Sequence, residues 1–157
     1  MKTLQSRRRF LKQSAVLSAT GAIAAPMLLD SCARNDRVNL AFLGMGGRAA
    51  GLLQQFILIP GTQVVAICDP MTDRREDRTN WVNEVYAKRE DKVKYQSCKA
   101  YNHFEEVLDR KDIDAVVIGT PDHWHIPLAY AAIKAGKDVY VEKPLGLTIS
   151  DGVQLRD

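Results

Sequence analysis

Two rhythms alternate along the chain from Val38 onward. Short unbroken apolar runs stop at glycine, aspartate or proline, and stretches with helical spacing of apolar positions follow them. VNLAFL (38–43) ends at glycines and predicts a buried strand, and RAAGLLQQFI (48–57) predicts a helix. TQVVAIC (62–68) predicts a second strand. DRREDRTNWVNEVYAKR (73–89) predicts a solvated helix with Trp81, Val85 and Val82 on its inner face. KVKYQSCKAY (92–101) is ambiguous, with room for one short strand, and HFEEVLDR (103–110) is a short helix. DAVVIGT (114–120) is the cleanest strand. IPLAYAAIKAG (126–136) is a helix with Pro127 in its first turn and Gly136 at its stop. DVYVE (138–142) is a further strand, and LTISDGVQLRD (147–157) starts a helix for which Thr148 or Ser150 is the cap.

Strands alternating with helices predict an α/β fold, a doubly wound parallel sheet with right-handed crossovers. Ligands in such sheets sit at the C-terminal ends of the strands, near the switch in strand order. The chemistry is therefore expected directly after each strand.

The first 37 residues follow neither rhythm. Residues 1–12 are basic, and residues 15–29 (AVLSATGAIAAPMLL) are apolar without a stripe. A bilayer span needs about 20 apolar residues, so this run is short for a lasting transmembrane helix and suits a signal peptide. Ser6-Arg7-Arg8-Arg9-Phe10-Leu11-Lys12 resembles the twin-arginine export signal at every specified position. Ala22-Ile23-Ala24 fits a cleavage site, whereas Leu29-Asp30-Ser31-Cys32 resembles a lipoprotein box, with Asp30 off its pattern. Lipidation of Cys32, which would hold the chain on a membrane surface, and a free thiol there both stay open. These features divide the chain into a signal segment at 1–32, a polar linker at 33–37 and a folded domain at 38–157.

Charge changes the picture once this segment is set apart. The formal net charge is +3, but residues 1–32 hold five cations and one anion. The rest carries 17 Lys and Arg against 18 Asp and Glu, which argues against nucleic-acid binding. The three cysteines have neither metal-ligand spacing nor the even number of a disulfide framework.

After the first strand comes Gly44-Met45-Gly46-Gly47-Arg48-Ala49, which reads G-x-G-x-x-A. The first glycine allows a tight turn, the second lets a pyrophosphate approach the backbone, and the small third residue lets helix and strand pack. After the second strand comes Asp69, placed to accept hydrogen bonds from an adenosine ribose. Its charge would repel a 2′-phosphate and favours NAD, while Arg74 and Arg75 keep NADP in view. After the next apolar strand comes Thr120-Pro121-Asp122-His123-Trp124-His125, and after the last Glu142-Lys143-Pro144. His123 and His125 lie too close together, with no third ligand, to argue for a metal. Trp124 is placed either to stack on a ligand or to pack, and His103 to begin a helix.

With these motifs (GMGGRA, Asp69, GTPDHWH and AGKDVYVEKP) the sequence resembles the Gfo/Idh/MocA oxidoreductases, named for glucose–fructose oxidoreductase and inositol dehydrogenase. The resemblance covers about residues 37–157 and implies an NAD(P)-binding Rossmann domain. It implies Lys143 as the catalytic residue beside the nicotinamide, with Glu142 orienting it and His125 at the mouth of the site. A lysine in a closed cleft is suited to acid–base work. Thr120, Pro121 and Asp122 would shape the nicotinamide site; Asp122 stands where asparagine is commoner and can only accept, and capping the next helix is its equal alternative. Gly44, Met45, Gly46, Gly47, Arg48 and Asp69 complete the cofactor set. Similar proteins carry a second α/β domain that binds substrate, so the sequence reads as a fragment lacking it. The implied function is an exported, periplasmic oxidoreductase acting on a sugar or polyol. The alternatives are a redox-assisted glycosidase or lyase and a non-catalytic binding protein. Export machinery is the implied partner, and a homo-oligomer stays open.

Overall fold

The computed structural model describes residues 37–89 and 94–156. Five strands form one parallel sheet: β1 (Val38–Leu43), β2 (Thr62–Cys68), β3 (Lys99–Tyr101), β4 (Ala115–Ile118) and β5 (Asp138–Val141), in the order β3-β2-β1-β4-β5. Helices α1 (Gly47–Phe56), α2 (Thr72–Ala87), α3 (Phe104–Leu108), α4 (His125–Lys134) and α5 (Ile149–Arg156) alternate with them, and a single 3₁₀ turn (Asp122–Trp124) leads into α4. This is the expected α/β doubly wound sheet. The signal segment, Cys32 and the linker as far as Asp36 lie outside the described residues.

The central strands β1, β2 and β4 have two buried faces, which is why their runs read as continuously apolar, while the edge strands β3 and β5 stay partly exposed. One face packs Leu40, Phe42, Val64, Ile67 and Val117 against Leu52, Leu53, Val82 and Tyr86 of α1 and α2. The other packs Ala41, Leu43, Val65, Val116 and Ile118 against Val107, Leu108, Leu128, Ala129 and Ala132 of α3 and α4. The inner stripe of α2 differs from expectation: Thr79, Val82 and Tyr86 are buried, while Trp81 and Val85 only flank the core. Tyr86 wins the inner position because its hydroxyl accepts the Val64 amide at 2.6 Å, so its polar tip is satisfied inside. Burial pushes that phenol up to about 12.

Between residues 94 and 101 the chain pairs only over Lys99–Tyr101. Just before, Asn83 of α2 replaces a neighbouring strand. Its amide donates to the Cys98 carbonyl at 3.1 Å and accepts the Cys98 amide at 2.9 Å.

Register brings the site together. Leu43 lies opposite Cys68 and Ile118, Cys68 opposite Tyr101, and Ile118 opposite Val141. The ladder runs one residue further: Gly44 donates to the Cys68 carbonyl, Asp69 to Tyr101, Gly119 to Leu43 and Glu142 to Ile118. All five strands thus end level, and every motif residue leaves the sheet at one edge.

Candidate dinucleotide site

At the switch point, between β1 and β4, the backbone turns sharply at Gly44, which has φ +85°. A Cβ there would lie 2.7 Å from Thr120 Cγ2, so only glycine fits. Gly119 is packed as closely: its Cβ would stand 2.6 Å from that of Ala49. This is the helix–strand contact for which the small third residue of the fingerprint was expected. Gly46 and Gly47 differ, with nothing within 4 Å of an added Cβ. Their openness leaves the start of α1 accessible to a ligand. The first bond of α1 runs from the Ala50 amide to the Gly46 carbonyl, so the amides before it have no acceptor within the helix.

Asp69 is only 4% exposed, and its carboxylate spans two loops. Oδ2 accepts the Met45 amide at 2.7 Å and Oδ1 the Met71 amide at 2.8 Å. The acid therefore braces the glycine turn as well as facing the site, and each oxygen keeps a lone pair. Beside it lies a cleft of about 370 Å³ whose walls include Gly44, Asp69, Arg74, Phe104, Thr120 and Trp124. Thr120 Oγ1 is buried there with no hydrogen-bond partner among the described residues, a group that a ligand would satisfy. The cleft, the open glycines and this orphan hydroxyl fit a dinucleotide.

The two arginines after Asp69 have separate tasks. Arg74 lines the cleft. Arg75 Nη1 is spent on the carbonyls of Asp69 and Pro70 and on Asn102 Oδ1. Cys68 also borders the cleft, but burial pushes its thiol up to about 12, so it is no nucleophile.

At the end of β5, Glu142 is buried and Lys143 exposed, with a cis bond between Lys143 and Pro144. The expected pairing of the two side chains is replaced by another. Arg48 donates from Nε and Nη2, each at 2.9 Å, to Glu142 Oε1. That hydrogen bond with Arg48 is the main cause holding the Glu142 carboxyl below its usual range. Glu142 Oε2 meets only the backbone amide of Lys143, at 3.3 Å. The Lys143 side chain makes no hydrogen bond or ion pair among the described residues, and none of them closes a cleft over it. Sequence reasoning missed this use of Arg48 because 94 positions separate the partners.

His125 lies elsewhere than the mouth of the site. It is 2% exposed, with Nδ1 2.6 Å from the Pro144 carbonyl and Nε2 3.0 Å from the Thr120 carbonyl. The 3₁₀ turn directs the first residue of α4 inward, between two loop carbonyls. A neutral imidazole has one N–H and donates to one of them, so the ring sits between the β4 and β5 loops and links α4 to one of the two carbonyls. Asp122 is exposed and accepts the His123 amide at 3.0 Å, within the 3₁₀ turn and not as a cap on α4. Pro121 begins that turn, its carbonyl accepting the Trp124 amide. Trp124 is 45% exposed at the cleft wall, its ring 6.5 Å from that of Phe104. His103 caps nothing with its side chain and sits 3.1 Å from Asn102 Nδ2.

Comparison with known proteins agrees with this fold. Residues 38–157 match the family model described as "Oxidoreductase family, NAD-binding Rossmann fold". Glycosyl hydrolase family 109 protein 2 of Shewanella sp. (strain ANA-3) is 34% identical over 92% of this chain and 35% of its own. An alpha-N-acetylgalactosaminidase of Shewanella oneidensis is 30% identical over 96% of this chain and 36% of its own. The chain thus spans about a third of the length of these curated relatives. Among solved structures, an NAD-binding protein from Listeria innocua superposes with TM-score 0.64 at 27% identity, over 77% of this chain and 32% of that one. A myo-inositol 2-dehydrogenase from Lactobacillus plantarum reaches the same TM-score at 22% identity, over 76% and 32%, a likeness of fold. The chain belongs to the Gfo/Idh/MocA oxidoreductase family, and its residues 38–157 are that family's NAD-binding Rossmann domain.

Proposed function

We propose that this domain holds the dinucleotide of an exported oxidoreductase that acts on a sugar or polyol. The observation that carries the reading is the spread of chemistry along one sheet edge. Asp69 leaves β2 and Lys143 leaves β5, three strand spacings apart, or roughly 14 Å, with the glycine turn between them. That span suits an extended dinucleotide. The ribose would meet Asp69, the phosphates the amides of Gly46, Gly47 and Arg48, and the adenosine half the cleft beside Arg74 and Trp124. Bound there, the nicotinamide would accept or return a hydride. Lys143 would hold the substrate hydroxyl and take part in moving its proton. His125 would act as a positioning residue, held between the Thr120 and Pro144 carbonyls beside the site. Thr120, Pro121 and Asp122 would border the nicotinamide end, and Glu142 would stand behind Arg48 at the phosphate end.

NAD is the favoured form, because the Asp69 carboxylate opposes a 2′-phosphate. Arg74 is the residue that would lessen this preference. Export by the twin-arginine route through Ser6–Lys12 suits a protein loaded with its cofactor in the cytoplasm, since that route carries folded chains. A periplasmic location, with Cys32 as an optional lipid anchor, follows from the same segment.

A second reading is supported by the curated relatives, named as a glycosyl hydrolase family 109 protein and an alpha-N-acetylgalactosaminidase, at 34% and 30% identity. Here the sugar would be oxidised transiently and lose its glycosidic leaving group by elimination. Water would add, and the hydride would return to the sugar. Free sugar released with no net change in dinucleotide absorbance would select this reading.

The first test is to purify the protein from the cytoplasmic fraction without added nucleotide, denature it and identify the released small molecules by mass spectrometry. NAD or NADP near one per chain is expected. No release, together with no binding on titration, overturns the proposal. Unchanged turnover in Lys143→Ala would leave a non-catalytic binding protein as the better description.

A further inference from the structure

The Arg48–Glu142 pair joins the phosphate-binding turn to the strand that carries Lys143, and its two halves are unequal. Glu142 is fixed: its side chain is 8% exposed, its amide donates to the Ile118 carbonyl, and Oε2 accepts the Lys143 amide. Arg48 is the free-standing half, 67% exposed, on the second residue of α1. Nε and Nη2 both converge on one oxygen of that carboxylate. No acidic residue lies in the first turn of α1 to attract Arg48 within its own helix. The cation reaches across to a second element.

We propose that Arg48 is shared between Glu142 and the dinucleotide phosphates, so that the Glu142 carboxylate restrains the grip on the phosphates. This rests on the dinucleotide reading above. A guanidinium beside the open amides of the glycine turn is placed to donate to a phosphate. Here part of its donor set is already committed to a carboxylate. A phosphate must therefore compete with Glu142 for Arg48, or share it while facing the negative charge behind it. Glu142 is thus a positioning residue that acts through Arg48.

The inference reverses the usual expectation for a buried acid in a binding site. Glu142→Gln keeps the shape and an acceptor oxygen for the Lys143 amide but removes the charge. It should tighten NAD binding by about three- to fivefold, the range of an exposed ion pair. Affinity should also fall more steeply with salt than in the wild type. Arg48→Ala should weaken binding, and in the double variant Glu142→Gln should no longer tighten it. Arg48→Lys, a point charge without the fork, should keep part of the affinity. The measurement is calorimetric titration of the full chain with NAD and, separately, inorganic pyrophosphate, with melting temperatures as the folding control. If Glu142→Gln binds NAD no more tightly than a wild type that does bind it, the sharing is disproved and the pair is a structural staple. If it tightens binding equally with and without Arg48, the carboxylate acts directly and Arg48 has no part. A wild type that binds neither NAD nor NADP would overturn the dinucleotide reading itself, and this inference with it.

Discussion

At the scale of single residues, the glycines of the fingerprint divide into two kinds that the motif writes alike. Gly44 has positive φ and no room for a Cβ, whereas Gly46 has φ −64° and open space. Gly44→Ala combines a left-handed alanine with a clash against the Thr120 backbone. It should cost about 2–4 kcal/mol, read as a fall in the denaturation midpoint. Gly46→Ala should leave that midpoint within about 0.5 kcal/mol of the wild type and still weaken dinucleotide binding, because the methyl occupies the approach to the amides. A large stability loss in Gly46→Ala, or unchanged dinucleotide affinity in it, would refute the assignment. The ribose role proposed for Asp69 rests on its place after β2, but its brace on the Met45 amide, 24 residues away, left no sequence signal.

Whole elements were legible where burial is two-sided. The expected bounds of β1 and β2 coincide with those observed, because unbroken apolar runs between turn residues leave little choice. β3 was legible only as room for one short strand within 92–101, since it lies at the sheet edge and its exposed pattern does not mark its bounds. The inner face of α2 was legible only in part: Val82 is buried as expected, but a tyrosine with a satisfied hydroxyl takes the place expected of Trp81, which only flanks the core. The cap of α5 was narrowed to two residues, and Thr148 holds it. Its Oγ1 accepts the Asp151 amide at 3.2 Å, while Asp151 Oδ2 accepts the Thr148 amide at 2.9 Å, a reciprocal capping box. Thr148→Ala should destabilise α5 by about 1 kcal/mol. Faster amide exchange confined to 149–156 would confirm it, and unchanged exchange there would refute it. Lys137, inside the AGKDVYVEKP stretch that helped to identify the family, proves to be structural. It is buried and donates to the Arg110 and Ile113 carbonyls at 2.6 and 2.9 Å. Lys137→Met leaves both carbonyls short of a donor and should lower stability by about 1–3 kcal/mol without changing dinucleotide affinity, read by denaturation and titration together.

Across the whole molecule, the two edges of the sheet do different work. The C-terminal edge gathers the cleft, the open glycines and Lys143. Near the opposite edge, buried polar groups bind loops to one another. Asn39 donates its amide to Asp114 Oδ2 and its side chain to the Asp112 carbonyl, and Gln63 accepts the Gln96 amide. Arg110 reaches from the end of α3 to the Val65 carbonyl and grips both oxygens of Asp112, at 2.9 and 2.6 Å. The hydrogen bonds from Arg110, aided by Gln96, hold the Asp112 carboxyl down at about 2, from 3.8 for a free one. A carboxyl lowered on folding contributes stability that is present above its unfolded value and is lost as pH falls through the folded one. The contribution of Asp112 should therefore be complete above about pH 4 and fade toward about pH 2. Because the side chain is 41% exposed, solvent screening keeps the pair below about 1 kcal/mol. Denaturation of wild type and Asp112→Asn side by side should show a gap at about pH 5 that closes by about pH 2. A gap independent of pH would mean that the Arg110 pairing does not depend on charge. Near neutral pH the variant should bind the dinucleotide as the wild type does, since its lesion lies away from the edge where the cofactor motifs emerge. A shared loss of affinity would show instead that the two edges of the sheet are energetically coupled.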